Sequence, residues 1–349
     1  MFSNRTGWIG VDIGNSAIKF AQVERRARKL SVRAAAIIKR PSVIDTTAWV
    51  RSSPVSSESE FKSAVKSAPF RGRDTACSAP IAVCDVRTMD VPSTEHAEIR
   101  EFIASELSQI HSIPADNVHF DYWNNETGNS NEQTHVLCLA DRWTEQIITD
   151  HRTNRLTCNA VDGLPQSLAR ATMLVENFNP NQAYAILDWG DTTSTFCVVI
   201  NGQPIFTRCL PKFGFRSLQS KLSEALGMNR NETRRIISRF GLPKNEHASD
   251  DEVQLTVAEI LSSDIENIVK ELQTTIKFFG AQRKNIELEQ GFIFGSGATL
   301  KNIEHWIGSK LKLSLQPWSL PVQNSENCKV PLALLGPAIA SSTLVWEKS

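Results

Sequence analysis

Apolar and polar positions follow the same order in the two halves of this chain. In the first half, apolar runs predict three strands, at residues 7–13, 17–24 and 29–38, and a further strand at residues 76–84. In the second half, similar runs predict three more, at residues 183–188, 194–200 and 203–210. In both halves a short turn with glycine separates the first two strands. The pattern therefore indicates an internal repeat in the order of elements rather than in the letters.

Helical patterns follow the strands of the second half. Apolar residues recur at the spacing of a helix face in three segments, at residues 215–226, 230–240 and 252–279. A short strand at residues 291–294 and a helix at residues 300–310 are predicted after them. A polar break at residues 179–182 is the best boundary between the halves. We therefore predict a first domain at residues 1–180 and a second at residues 181–349, with a mainly helical subdomain at about residues 215–285.

A further segment interrupts the first domain. Residues 86–158 have the pattern helix, strand, strand, helix, strand, which predicts a small α/β insertion. Near the other end, residues 330–346 carry no charge, but Pro331, Gly336 and Pro337 interrupt them. We expect this segment to be a buried terminal helix that packs back on the first domain, rather than a membrane span.

Composition narrows the class of protein. Lys plus Arg and Asp plus Glu both number 38, so the total charge gives no indication of nucleic-acid binding. The seven cysteines include no C-x-x-C pair, which favours a reducing, cytoplasmic setting. The amino-terminal residues lack the uninterrupted apolar core of a signal peptide. We expect a cytoplasmic protein of ordinary globular composition.

Three glycine-bearing turns carry the candidate chemistry. The first turn is Asp12–Lys19, the second is Asp188–Ser194 and the third is Gly295–Leu300. The first two follow an apolar run that ends in an acid and precede a run that resumes a strand, so each predicts a hairpin. Alone, a D-x-G between strands is most often only a hairpin. Two such turns in two similar halves, with a third before the last helices, could instead hold a polyphosphate and its metal.

The residue types in these turns suit phosphate and magnesium. Glycines 14 and 190 permit positive φ and let a phosphate approach the main chain, and hydroxyls at residues 16, 192 and 193 can donate to its oxygens. Lys19 can meet a phosphate as a point charge. Asp12 and Asp188 offer hard oxygen ligands for Mg²⁺, through its waters. P-loop and Rossmann motifs do not occur, which argues against those two kinds of nucleotide site.

The order of the motifs resembles the actin-like ATPase superfamily. Within it, the chain is similar to the PilM-type proteins of type IV pilus assembly, which are relatives of the cell-division protein FtsA. The resemblance runs through nearly the whole chain, on Gly10–Gly14 with Lys19, Arg87–Pro92, Ala160–Asp162, Asn201–Arg208, Phe294–Ala298, and Leu311–Leu313 with Pro317. It implies a duplicated, ribonuclease H-like α/β fold with the insertion that FtsA and PilM share.

The resemblance also implies a site and a partner. The nucleotide-binding residues carried over by position are Asp12, Gly14, Asn15, Ser16, Lys19, Asp188, Gly190, Thr192, Thr193, Gly214, Gly295, Gly297 and Ala298. The ligands would be ATP or ADP with Mg²⁺, and the tail of an inner-membrane PilN-like protein would lie in a groove between the first domain and the insertion. The protein would then reach the membrane only through partners, among them other pilus or secretion machinery, and self-association is a further expectation.

Four positions depart from the family pattern. Asp191 adds negative charge beside the phosphates, and Phe215 and Gln219 replace residues that contact ribose or base in relatives. Leu164 stands where relatives have an acid, so Gln166 is the nearest residue able to orient a water. These departures favour nucleotide binding with at most weak hydrolysis.

Two alternatives use the same fold. A sugar or small-molecule kinase would need a general base in the cleft, and Asp162 is the one candidate near the linking helix. An FtsA-like filament-forming protein would carry a detached carboxy-terminal amphipathic helix, which the pattern does not predict.

Overall fold

The structure, a computed structural model, describes residues 5–26, 29–41, 54–92, 95–124, 133–244, 251–321, 328 and 330–347. The chain divides into two compact units. Unit 1 comprises Met1–Ser167 and Pro337–Ser349, and unit 2 comprises Leu168–Gly336.

The strands of the described residues include the six predicted at residues 7–38 and 183–210, each close to its predicted bounds. In chain order they are β1 (Ile9–Ile13), β2 (Ala17–Arg26), β3 (Lys29–Lys39), β4 (Asp74–Ala79), β5 (Cys84–Met89), β6 (Val118–Asn124), β7 (Thr134–Ala140), β8 (Thr157–Gly163), β9 (Ala183–Trp189), β10 (Ser194–Ile200), β11 (Gln203–Leu210), β12 (Leu288–Phe294) and β13 (Ser314–Pro317).

Helices connect these strands. In chain order they are α1 (Glu58–Ser67), α2 (His96–His111), α3 (Asp141–Thr153), α4 (Leu164–Met173), α5 (Phe215–Leu226), α6 (Arg230–Arg239), α7 (Glu252–Gln282), α8 (Ile303–Leu311) and α9 (Gly336–Thr343). Short 3-10 helices lie at residues 81–83, 115–117, 296–299, 332–334 and 344–346.

Each unit is built on a five-stranded sheet of the same topology. The order is β3-β2-β1-β4-β8 in unit 1 and β11-β10-β9-β12-β13 in unit 2. In both sheets the first three strands are antiparallel, and the last two run parallel to the central strand, β1 or β9. The predicted duplicated α/β fold is therefore confirmed, and the repeat in the sequence pattern corresponds to a repeat in topology.

The predicted strand at residues 76–84 is in fact two strands. β4 ends at Ala79 because Pro80 has no N–H to continue the ladder, and a 3-10 turn leads into β5. β5 belongs to a separate three-stranded sheet of order β5-β7-β6, which α2 covers. Ile103 and Leu107 of α2 are fully buried against Val136 of β7. This sheet and helix lie largely within residues 86–158, the segment predicted as an α/β insertion, and we call them the insertion.

Helix α3 follows the insertion sheet and packs on the main core of unit 1. Its Trp143 and Ile147 are buried together with Phe61 of α1 and residues of β1 and β2. Helix α3 therefore connects two parts of unit 1. It directly follows the insertion sheet in the chain, and it packs on the sheet that carries the first turn.

Helix α9 packs on β1 and β2 of unit 1. A Cβ at Gly10 would overlap the carbonyl oxygen of Ala338, so glycine is required for this close packing. Ser342 Oγ accepts a hydrogen bond from Val23 N at 3.1 Å and donates one to Trp8 O at 2.5 Å. Among the described residues, no helix is long and apolar enough to cross a membrane.

Unit 2 has its own core beneath three helices. The side chains of α7 at Val257, Ile265 and Leu272 are fully or almost fully buried, as the helical periodicity predicts. Asp251 caps α7 by accepting hydrogen bonds from Val253 N and Gln254 N. Helix α5 packs on both α6 and α7, and side chains of all three helices enter this core.

Candidate functional site

The first turn is the tip of the β1–β2 hairpin. Asp12 pairs with Lys19 and Ile13 pairs with Ile18 across the antiparallel ladder, and Gly14 N donates to Ala17 O at 3.0 Å. Five residues predicted for a phosphate site, Asp12, Gly14, Asn15, Ser16 and Lys19, therefore lie together on one hairpin.

Two opposite charges meet at the base of this turn. Lys19 Nζ lies 2.9 Å from Asp12 Oδ2, and the two side chains are 16% and 6% exposed. Partial burial strengthens the attraction relative to an exposed pair. The lysine predicted to meet a phosphate thus also neutralises the carboxylate predicted to hold magnesium.

Polar residues extend from Asp12 across the neighbouring parallel strands. Asp12 is in register with Ser78 on β4, and Ser78 is in register with Asp162 on β8. Residues in register in a parallel sheet project to the same face, so the three form one polar row. Ser78 is fully buried, and its Oγ has no hydrogen-bond partner in the described residues. Two carboxylates and a hydroxyl in a row suit a hydrated divalent cation.

The second turn has the same backbone course in unit 2. Asp188 pairs with Thr195 and Trp189 with Ser194, as Asp12 and Ile13 do with their partners. A Cβ at Gly190 would lie 2.6 Å from Thr193 O, and one at Gly14 would lie 2.8 Å from Ala17 O. Neither glycine has positive φ, so the prediction that these glycines are needed for positive φ was wrong. Glycine is needed because each turn folds back on its own carbonyl oxygen.

The amino end of α5 is hydrogen-bonded to the second turn. Phe215 N donates to Gly190 O at 2.9 Å, and Arg216 N donates to Asp191 O at 2.8 Å. The Arg216 guanidinium also donates to the Asp191 carboxylate. A Cβ at Gly214 would overlap the backbone of Thr192. The negative charge of Asp191 is thus paired with an arginine that sequence reasoning missed.

Two departures from the family pattern lie beneath the second turn. Phe215 is fully buried, and its ring packs edge-on against Trp189 with centroids 5.5 Å apart. Gln219, one helical turn later, is buried, and its Oε1 has no hydrogen-bond partner in the described residues. Phe215 therefore serves the core of unit 2, whereas Gln219 keeps a free acceptor.

The third turn packs directly on the second. Phe294 at the end of β12 pairs with Asp188, and Gly295 follows it with a φ of +77°. A Cβ at Gly295 would lie 2.6 Å from Asp188 Oδ1, and one at Gly297 would overlap the Trp189 ring. The turn continues into a 3-10 helix, and α8 begins only at Ile303, whereas we predicted a helix from Leu300. Asn302, which directly precedes α8, is in the left-handed region, and its side-chain amide donates to Leu242 O.

A groove of about 350 Å³ lies between the insertion and β8. Six consecutive residues of β8, from Cys158 to Gly163, line it, so the edge of the strand faces it rather than one side. The other walls include Phe120 of β6, Leu137 of β7 and Ile148 of α3. Gln166, the predicted water-orienting residue, lines this groove together with Asp162.

The charges of the groove are acidic. Asp121 and Asp162 line it, and burial raises the pKa of Cys158 to about 11, so this thiol stays neutral. His119 also lines the groove, and its Nε2 lies 2.7 Å from Asp141 Oδ1. The sequence could not place these residues together, because they come from β6, β8 and α3, and the fold decides how these elements lie beside one another.

Comparisons with known proteins agree with this architecture. The family model described as type IV pilus assembly protein PilM matches residues 10–323. A solved structure of a PilM–PilN type IV pilus biogenesis complex has a TM-score of 0.73 and 16% identity, covering 99% of this chain and 100% of that one. The ethanolamine utilization protein EutJ from Carboxydothermus hydrogenoformans has a TM-score of 0.53 and 13% identity, with 98% and 90% covered. At these identities the two structures show likeness of fold.

Proposed function

This chain belongs to the PilM family of type IV pilus assembly proteins, and we propose that it is an ATP-binding scaffold of that machinery. In this proposal it works on the cytoplasmic side of the inner membrane, where it holds the tail of a PilN-like protein. One observation carries the nucleotide part. Two hairpin turns of the same backbone course each require glycine and each follow an aspartate, one in each unit.

The residues present fit a nucleotide with magnesium. In unit 1, the main chain of the first turn and Ser16 would bind phosphate oxygens, and Asp12 would hold Mg²⁺ through water. In unit 2, Thr192, Thr193 and Asp188 would do the same, and the third turn would border the adenosine. Magnesium would supply neutralisation of phosphate charge. Lys19 would divide its charge between Asp12 and a phosphate.

ATP serves as a structural ligand in this proposal. Leu164 is buried and apolar at the position where the resemblance implies an acid, and Gln166 lines the groove. A ligand present at a hundred times its Kd adds about 2.7 kcal/mol to the stability of the folded form that binds it. We therefore expect tight binding with at most slow turnover.

The groove suits an extended peptide. β8 is the last strand of its sheet, and no strand of the described residues pairs with its outer edge. An extended tail could therefore add main-chain hydrogen bonds to that edge. Its apolar side chains would pack on Phe120, Leu137 and Ile148, and a basic side chain would meet Asp121 or Asp162.

Calorimetric titration of Mg-ATP tests the nucleotide part. We expect the wild type to bind, and Asp12→Asn and Asp188→Asn each to weaken binding at least tenfold, since each removes a charge that holds magnesium. Asp116→Asn, at an exposed aspartate of unit 1, is the matched control and should leave the affinity unchanged. Failure of the wild type to bind Mg-ATP would refute this part.

A synthetic peptide of the PilN-like tail encoded by the same organism tests the groove. Ile148→Glu places a carboxylate on an apolar wall near Asp162, and we expect it to weaken peptide binding at least tenfold. Leu255→Glu changes an equally apolar, exposed helix residue of unit 2 outside the groove, and should have no effect. Equal losses in both variants would argue against this site.

A further inference from the structure

Arg40 contacts the first turn from behind. It follows β3 directly, and its N–H donates to Ser16 O at 2.9 Å, while its Nε donates to Gly14 O at 3.2 Å. The guanidinium side chain is only 1% exposed. One buried arginine therefore donates hydrogen bonds to carbonyl groups at both ends of the turn.

The far end of the same guanidinium enters a buried polar network. Arg40 Nη2 donates to Ser57 Oγ at 2.8 Å, and Nη1 lies 3.8 Å from Glu60 Oε1. Ser57 N in turn donates to Asp150 Oδ2 at 2.7 Å. Glu60 and Asp150 are 3% and 4% exposed, so two buried carboxylates face one buried cation. Because unpaired buried charges are costly, these groups are expected to move together rather than separately.

Asp150 transfers this connection to α3. Gln146 and Asp150, one turn apart, are hydrogen-bonded to each other on one side of the helix, with Nε2 to Oδ1 at 2.8 Å. Thr144 and Ile148, also one turn apart, line the groove. Residues four apart share a helix face, so α3 presents one face to the network and another to the groove. A shift of the helix changes both.

We propose that Arg40 positions the first turn for a nucleotide and couples it, through Ser57 and Asp150, to the groove. The inference rests on the proposed function, because it concerns the same turn and groove. A ligand on the turn and a peptide in the groove then change each other's affinity by the same factor, since coupling between binding sites is reciprocal. We expect a factor of about five or more, at the low end of measured couplings.

The test is a set of calorimetric titrations with Mg-ATP and the tail peptide, each with and without the other saturating. In the wild type both directions should give the same factor. Arg40→Lys keeps the charge near Glu60 but cannot contact Gly14 O and Ser57 Oγ at once. It should weaken Mg-ATP binding up to tenfold, leave binding of the peptide alone within twofold, and bring the coupling factor close to one.

Ser57→Ala separates positioning from coupling. It removes the bond to Arg40 Nη2 and leaves the bond to Gly14 O, so Mg-ATP affinity should stay within twofold while the coupling factor falls. Arg33→Lys, at an arginine of β3 paired with Glu24, is the control and should behave as the wild type. A wild type that binds both ligands with a factor of one overturns this inference alone. A wild type that binds neither refutes the proposed function as well.

Discussion

Asp12 in the first turn faces Lys19 across its hairpin, whereas Asp188 in the second turn faces Thr195. In unit 2 the charged pair is instead Asp191 with Arg216, and Asp191 lies three residues after Asp188. The backbone follows the same course in both turns, since a Cβ at either glycine would meet the carbonyl oxygen three residues later. Sterics therefore fix the course of both turns, while the positions of the charges differ between the repeats.

The strands beside the two aspartates also differ. In unit 1, Asp12 continues into the polar row with Ser78 and Asp162. In unit 2, the neighbour of Asp188 is Phe294, whose ring stacks on Trp318 at a centroid distance of 5.3 Å. The same topology thus carries a polar row in one unit and an aromatic stack in the other. The residues beside Asp12 can bind a hydrated cation, whereas the ring beside Asp188 cannot.

The largest effect is expected from removing the cation of each pair. Lys19→Met leaves the Asp12 carboxylate, only 6% exposed, without the ammonium, and should lower the free energy of unfolding by about 3 kcal/mol. Arg216→Met breaks a pair that is 36% and 20% exposed, and should cost about 1 kcal/mol or less. Chemical denaturation gives the totals, and hydrogen exchange assigns each loss to its unit.

The double variant Lys19→Met with Asp12→Asn provides the control for this difference. It removes the buried charge as well as its partner, so it should recover part of the stability that Lys19→Met loses. Equal losses for Lys19→Met and Arg216→Met would contradict the contrast between the two turns.

A methyl group at each turn glycine tests whether the backbones are the same. Gly14→Ala and Gly190→Ala should each destabilise by about 1–3 kcal/mol, because the new Cβ meets a carbonyl oxygen at 2.8 or 2.6 Å. Gly280→Ala in α7 is the control. Its Cβ would meet nothing within 4 Å, so it should stabilise by about 0.5–1 kcal/mol. A large loss at only one turn would mean that the two backbones differ.

Acid should weaken unit 1 more than unit 2. His111 and His151 lie in unit 1, and burial lowers the pKa of both below the ordinary value. The unfolded chain therefore takes up protons at a higher pH than the folded chain, and stability falls as the pH drops from about 7 to 5. His151→Gln should remove roughly 1 kcal/mol or less of this dependence.

His305, an exposed histidine of unit 2, supplies the control variant His305→Gln. The free energy of unfolding of this variant, measured by denaturation at several pH values, should depend on pH as that of the wild type does. If His151→Gln keeps the full acid dependence, burial of this imidazole is not its cause.

The smallest effect is expected in the polar row. Ser78→Ala removes a buried hydroxyl that has no partner in the described residues, so stability should stay the same or rise by up to about 1 kcal/mol. Thr75→Val on the same strand removes a hydroxyl that donates to Thr157 O at 2.9 Å, and should cost about 1 kcal/mol. A clear loss for Ser78→Ala in thermal unfolding would show that its Oγ is satisfied.

Features with local causes could be predicted from the sequence. The paired hairpins follow from apolar runs on both sides of glycine turns, and α7 follows from its helical period. Pro80 is a local signal that the prediction overlooked, and it explains why β4 stops before β5. The candidate residues of the first turn could be assigned to one site from the sequence, because they are close together in the chain.

Features that depend on register or on distant elements could not be predicted. Ser78 joins Asp12 only through the parallel pairing of β1 with β4, and a single sequence does not give that register. Arg40 reaches Asp150 through a chain of contacts across three elements. The contact between Arg216 and the second turn could have been predicted, since an arginine at the second position of a helix can form a hydrogen bond to a turn beside the start of that helix.

Helix α9 has a consequence for how the protein is made. Ser342 joins Val23 and Trp8 over separations of 319 and 334 residues, and Ala338 packs on Gly10. During synthesis the amino-terminal strands leave the ribosome long before these partners exist. Unit 2 can fold while its last residues emerge, but the sheet that carries the first turn keeps one surface uncovered until Ala338 and Ser342 have been translated. The unit that is translated first is therefore completed last.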